Sequence, residues 1–133
     1  MLRNEVSIMH TINHPNVLHL FEHFESENNY YLVTNYCNKG DLHEYISKLP
    51  KKLLPESEAL FYLKQIMNGF RALHKHKVMH RDFKAANLFL NDDTVIIGDF
   101  GFAKSGIEMT QTALGTPLTQ APEVLSGAVR CLS

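Results

Sequence analysis

Four polar residues, Asp82, Lys84, Asn87 and Asp99, stand at the ends of short apolar runs. Residues 87–90 and 94–97 are two such runs joined by Asn91-Asp92-Asp93, a pattern that predicts two small strands in a tight hairpin. A hairpin brings its open ends together, so Asn87, just before the first strand, and Asp99, just after the second, fall side by side. One amide oxygen and one carboxylate then converge, which suits a hard cation such as Mg²⁺. Asp82 and Lys84 lie on the loop leading to the same place. Such a group can deprotonate a hydroxyl, neutralise a phosphate and hold a metal between them. Taken singly, Asp82 and Asp99 read more simply as solvated turn carboxylates and Lys84 as a surface amine.

The elements that must position these residues follow from periodicity. Val6, Met9 and Ile12 predict an amphipathic helix over residues 2–12, stopped before Pro15. Residues 17–24 and 30–36 read as a hairpin across the polar turn 25–29, and residues 42–49 as a short helix ending at Pro50. Residues 55–76 form the clearest helix. Its apolar stripe is Ala59, Leu63, Ile66, Met67, Phe70 and Leu73, with acids in the first turn and Arg71, Lys75 and Lys77 near its end. Gly69 is its weak point, explicable as a close packing contact. Residues 78–80 predict another short strand. From Gly98 to Pro122 the Gly-, Thr-, Ser- and Pro-rich sequence predicts a long loop, followed by one helical turn.

The motifs H-R-D-F-K-A-A-N at 80–87, D-F-G at 99–101, G-T-P at 115–117 and A-P-E at 121–123 occur in that order. Together they resemble the eukaryotic protein kinase catalytic domain, of the Ser/Thr type, over nearly the whole chain. Glu5, with His14-Pro15-Asn16 nine residues on, is similar to the helix and following strand of that family's small lobe, and residues 31–42 are similar to its hinge. The resemblance implies an α+β, incomplete two-lobe fold. Residues 1–34 would be a remnant of the small lobe, 35–41 the hinge and 42–133 the first part of a mainly helical large lobe.

It also implies roles. Asp82 would be the catalytic-loop base and Lys84 the lysine screening the transferring phosphoryl group, with Asn87 and Asp99 as the two Mg²⁺ ligands. Thr34 would guard the back of the adenine pocket. The Asn35 carbonyl and Cys37 amide would face the adenine edge, Phe89 would join the nucleotide site, and Asp41 would reach the ribose. Met9, Leu20, His80 and Phe100 would form a stacked apolar column, a role compatible with plain core packing. Lys84 two residues after Asp82 is the Ser/Thr pattern, and the Thr116 hydroxyl would bridge the two. Arg81 would capture a phosphate on Thr112. Residues 102–104 are similar to the branch that includes autophagy-initiating kinases. ATP and Mg²⁺ would be the cofactors, and ATP and a protein substrate the partners.

Some of the family's pattern is missing from this sequence. Its seven glycines make no G-x-G-x-x-G, and no lysine precedes Lys39 to pair with Glu5. Residues 127–133 match nothing in the family's pattern, Glu123 lacks its distant arginine, and Asn35 and Thr119-Gln120 are smaller departures. The expectation is the middle half of a kinase domain, from a truncated or degenerate gene. The rival reading is an inactive fragment or pseudokinase acting through protein contacts. Thirteen basic and 14 acidic residues, dispersed along the chain, give no footprint for nucleic acid. No run nears the roughly 20 apolar residues of a membrane span, and residues 1–5 lack the apolar stretch of a secretory signal. Cys37 and Cys131 match no metal or disulfide framework. An intracellular, cytoplasmic setting is expected.

Overall fold

The computed structural model describes residues 2–101, 103–105 and 116–122. Helix α1 (Leu2–Thr11) turns Ile8 and Met9 into the core, with Ile12 just beyond its end and Val6 partly buried. The next residues depart from expectation. Val17 and Leu18 do not extend the following strand but pair with Ile97: Val17 makes a parallel bridge to it, and Leu18 N donates to Ile97 O at 2.8 Å. The strand β1 (Leu20–Glu25) therefore starts three residues later than predicted, and β2 (Tyr30–Thr34) ends two residues earlier. They pair antiparallel, with an irregularity between Leu20 and Glu22.

Helix α2 (Leu42–Lys48) is capped by Asp41, whose Oδ1 accepts from Glu44 N at 2.8 Å. Helix α3 (Glu56–Lys75) has Pro55 at its N-cap and buries Tyr62, Ile66, Gly69 and Leu73. The predicted stripe is thus rotated. Leu63 and Met67 are 50% and 49% exposed, because the face bearing Tyr62, Ile66, Gly69 and Leu73 is the one turned to the core. Gly69 is a close contact as expected: a Cβ there would lie 2.7 Å from both Asn16 O and Ile97 Cδ1. The same junction is tied by Asn16, whose Nδ2 donates to Val95 O at 2.8 Å and to Gln65 Oε1 at 3.0 Å. Gln65 Oε1 also accepts from Val95 N.

Strands β4 (Leu88–Asn91) and β5 (Thr94–Ile97) form the predicted hairpin, in the register Leu88↔Ile97 to Asn91↔Thr94. A 3₁₀ turn, Ala85–Asn87, precedes it. Within the predicted long loop the structure places a strand, β6 (Lys104–Ser105), antiparallel to β3 (Val78–Met79), and a 3₁₀ turn at Pro117–Thr119. Two-residue strands carry no periodicity to read. The fold is α+β; the described residues form three two-stranded ribbons with helices, and an apolar core joins α1, β1, α3, β4, β5 and Phe100. Among the described residues, no helix is long and apolar enough to cross a membrane.

Candidate active site

Asp82 organises the site. It is only 3% exposed, and its carboxylate is fully engaged. Oδ1 accepts from Thr116 N at 2.8 Å and Thr116 Oγ1 at 2.7 Å. Oδ2 accepts from Lys84 Nζ at 2.9 Å and Asn87 Nδ2 at 3.1 Å. Burial works to raise this carboxyl, but hydrogen bonds from Lys84, Thr116 and Asn87 outweigh it and hold the group down at about 2. Lys84 Nζ donates further to Thr116 Oγ1 at 2.7 Å, so one hydroxyl links the carboxylate and the ammonium. Residues 82–87 thus close around a threonine from far along the chain.

Asn87 completes the loop. Its Nδ2 also donates to Asp82 O at 2.8 Å, which turns the amide oxygen the other way. Asn87 O accepts from Gly98 N at 3.0 Å, so Asn87 and Asp99 do lie at adjoining open ends of the β4–β5 ribbon. Asp99 is exposed, in the left-handed region at φ 58°, and its Oδ1 accepts from Gly101 N at 3.4 Å.

His80 braces this corner, a link that sequence reasoning missed. Its Nε2 donates to Gly98 O at 2.8 Å, while Nδ1 accepts from Asp82 N at 3.3 Å, which fixes a neutral tautomer. Burial lowers its pKa, against the opposing pull of the Gly98 carbonyl and of Asp99 and Asp82. The ring packs 5.4 Å from Phe100, and Met9, Leu20 and Phe100 share the buried core. Residues 80 and 98 are too far apart in sequence for any local pattern to reveal this bond.

Glu5 stands apart from the Asp82 network. Burial and the nearby Asp99 charge raise its pKa, and a hydrogen bond from the Phe100 backbone opposes them. Among the described residues it has no ion-pair partner.

The remaining predicted residues gather where β2 leads into the segment paired with β4. Thr34 Oγ1 donates to Asn35 O at 3.3 Å, and Asn35 Oδ1 accepts from His19 N at 2.8 Å. Burial pushes the Cys37 thiol up, so it is a poor nucleophile. Gly40, at φ 71°, turns the chain so that Leu90 N donates to Gly40 O and Asp41 bridges to Phe89. The Phe89 ring covers Gly98 so closely that a Cβ there would meet it at 2.8 Å. One Asp41 oxygen is committed to capping α2. Arg81 adopts φ 65°, and burial shifts its guanidinium pKa down. Thr110, Thr112, Gly115, Glu123 and Cys131 lie outside the described residues.

No group of three or more His, Cys, Asp or Glu that could hold a metal ion occurs among the described residues. Asn87 and Asp99 present one amide and one carboxylate at adjoining ends of the ribbon, oxygen donors of the kind a hard cation takes.

Comparison with known proteins identifies the family. The family model described as protein kinase domain matches residues 1–131. The chain is 37% identical over 126 residues to serine/threonine-protein kinase Nek1 of Mus musculus, covering 92% of this chain and 10% of that protein. It is 39% identical over 130 residues to serine/threonine-protein kinase ATG1a of Arabidopsis thaliana, covering 93% and 20%. It is 40% identical over 129 residues to serine/threonine-protein kinase PLK4 of Drosophila virilis, covering 94% and 16%. The chain thus spans a fifth or less of the length of these relatives. A family model thus matches nearly every residue of the sequence, and the chain belongs to the protein kinase domain family.

Proposed function

We propose that this chain supplies the catalytic-loop portion of an ATP- and Mg²⁺-dependent phosphotransferase acting on protein serine or threonine hydroxyls. In this reading residues 1–34 belong to the small lobe, 35–41 to the hinge and 42–133 to the large lobe. The observation that carries it is the four-bonded Asp82 carboxylate. With its carboxyl held at about 2, Asp82 is a weak base, so it orients a substrate hydroxyl more than it removes the proton. All its acceptor positions are filled, so an incoming hydroxyl takes the place of one present partner, Thr116 Oγ1 or Lys84 Nζ. Lys84, once released, offers its charge to the transferring group. Asn87 and Asp99 would hold the cation, which supplies charge neutralisation on the phosphates. Thr34, Asn35, Cys37, Asp41 and Phe89 would hold the nucleoside.

One observation favours the rival reading, a non-catalytic interaction module. The partly buried Glu5 senses the Asp99 charge and has no ion-pair partner among the described residues. By itself, then, the chain should transfer phosphate negligibly, since catalysis of this kind is positioning and electrostatics. The test joins the chain to the glycine-rich loop, lysine strand and C-terminal helices of a related kinase. Transfer from Mg-ATP to a basic Ser/Thr protein, abolished by Asp82→Asn, is expected. A joined protein that folds and binds Mg-ATP but has no transfer to lose would establish the interaction module instead.

A further inference from the structure

A cleft of about 340 Å³ opens on a different part of the surface, between the last turns of α3 and the segment after α1. Asn13 and His14 line one side, and Asn68, Arg71, Lys75 and His76 the other. Two fixed cations and two imidazoles face one opening that, among the described residues, no carboxylate lines, in a chain whose formal charge is −1. We propose that this cleft binds a phosphomonoester carried on an extended peptide.

The alternative explanation is the helix dipole, which favours cations near a C-terminus. That end is already closed, however. His76 N donates to Ala72 O and Leu73 O, Lys77 N donates to His74 O, and His76 Nδ1 lies 2.8 Å from Ala72 O. The longer basic side chains are left over. Lys75 makes no ion pair among the described residues, and Arg71 makes one contact at the limit of hydrogen bonding, Nη1 to Asn68 Oδ1 at 3.5 Å. His14 Nδ1 accepts from Asn16 N at 3.1 Å, so the proton of its neutral ring is on Nε2 and can be donated.

A guanidinium fork, an ammonium and an imidazole N–H around one opening match the several oxygens of a phosphate dianion better than the two of a carboxylate. A phosphate group fills only a few water-sized volumes of about 30 Å³ each, which leaves room for the chain that carries it. Asn13 and Asn68 carry side-chain amides, which offer both donor and acceptor to a peptide backbone. None of Asp82, Lys84, Asn87 and Asp99 lines the cleft, so its occupancy does not compete with the candidate active site. The proposal stands independently of phosphotransfer.

Anisotropy of a labelled phosphoserine peptide, its unphosphorylated counterpart and competing inorganic phosphate would test it on the full chain. The phosphopeptide should bind at least tenfold tighter than its counterpart. Arg71→Gln with Lys75→Gln should erase that difference, while Lys51→Gln with Lys52→Gln, an exposed basic pair elsewhere, should preserve it. Arg71→Lys with Lys75→Arg, which keeps the charge, should retain part of the binding and guards against loss through misfolding. Equal affinity for the two peptides, or equal loss in both glutamine pairs, overturns the proposal. Competition by inorganic phosphate at the same concentration as the phosphopeptide overturns the assignment to a peptide.

Discussion

The β1–β2 and β4–β5 ribbons are both antiparallel hairpins, yet they occupy opposite environments. In β1 only Leu20 is buried, and β2 has no buried residue, whereas Leu88, Leu90, Val95, Ile96 and Ile97 are all buried in the other ribbon. Aromatic content does not explain it. The exposed ribbon is the richer, with Phe21 at 59%, Phe24 at 50% and Tyr30 at 55% exposure. What differs is cover: α3 lies on β5, residues 16–18 pair along β5, and residues 39–41 pair along β4. A hairpin clamped on several sides holds its open ends still, and those ends carry Asn87 and Asp99. The open ribbon carries none of the catalytic candidates.

The contrast can be broken first at the two ends of the clamped hairpin. In the joined protein described above, Asp99→Ala at the open end should lower phosphotransfer on the order of 10²–10³-fold, as loss of a preorganised electrostatic partner does. Asp93→Ala at the turn end should be nearly silent, because Asp93 is exposed and its link to Lys39 is 3.6 Å long. Steady-state kinetics decide, and equal damage from both would misplace the metal site.

Stability should divide the ribbons in the same sense. Ile97→Ala removes buried methyl groups beside Gly69 and should cost about 2–5 kcal/mol. Val33→Ala on the open ribbon should stay within about 0.5 kcal/mol. Urea unfolding midpoints compare them, and a cost at Val33 approaching that at Ile97 would mean the open ribbon is covered in solution.

Acid should reach the clamped region in two steps. The folded His80 pKa lies below its usual value, so the unfolded chain binds the proton first. The stability that neutral His80 contributes is complete above about 6.5 and declines as pH falls below it. The Asp82 carboxyl is held at about 2, so its contribution persists above its ordinary value of 3.8 and is lost as pH falls through about 2. His80→Gln should flatten the upper step and Asp82→Asn the lower one in melting temperature against pH. An unchanged profile in either variant would detach that residue from the network.

The smallest effect concerns solubility. Phe24 stacks on Tyr31 at 4.8 Å on an exposed ribbon, a surface prone to edge pairing. Phe24→Lys should slow aggregation, measured by light scattering, at a cost of about 0.5–1.5 kcal/mol from the lost stack. Unchanged aggregation would shift the cause to the exposed α3 side chains Leu60, Leu63 and Met67.

The sequence by itself determined the pieces that depend on near neighbours. Helical spacing marked α1 and α3, turn residues marked both hairpins, and the hairpin pattern placed Asn87 beside Asp99. The ordered motifs carried the family. Tertiary structure alone decided which face of α3 is buried, moving Leu63 and Met67 outward, and drew Val17 and Leu18 away from β1 to pair with Ile97. It also paired β3 with β6, two strands too short to carry a period, and bonded His80 to Gly98. The reason is range: periodicity and turn chemistry act over a few residues, whereas these contacts join segments whose approach depends on the whole chain having folded. The Gly69 contact shows the boundary. A glycine inside a helix announces that something comes close, and only the folded chain says that it is Asn16 and Ile97.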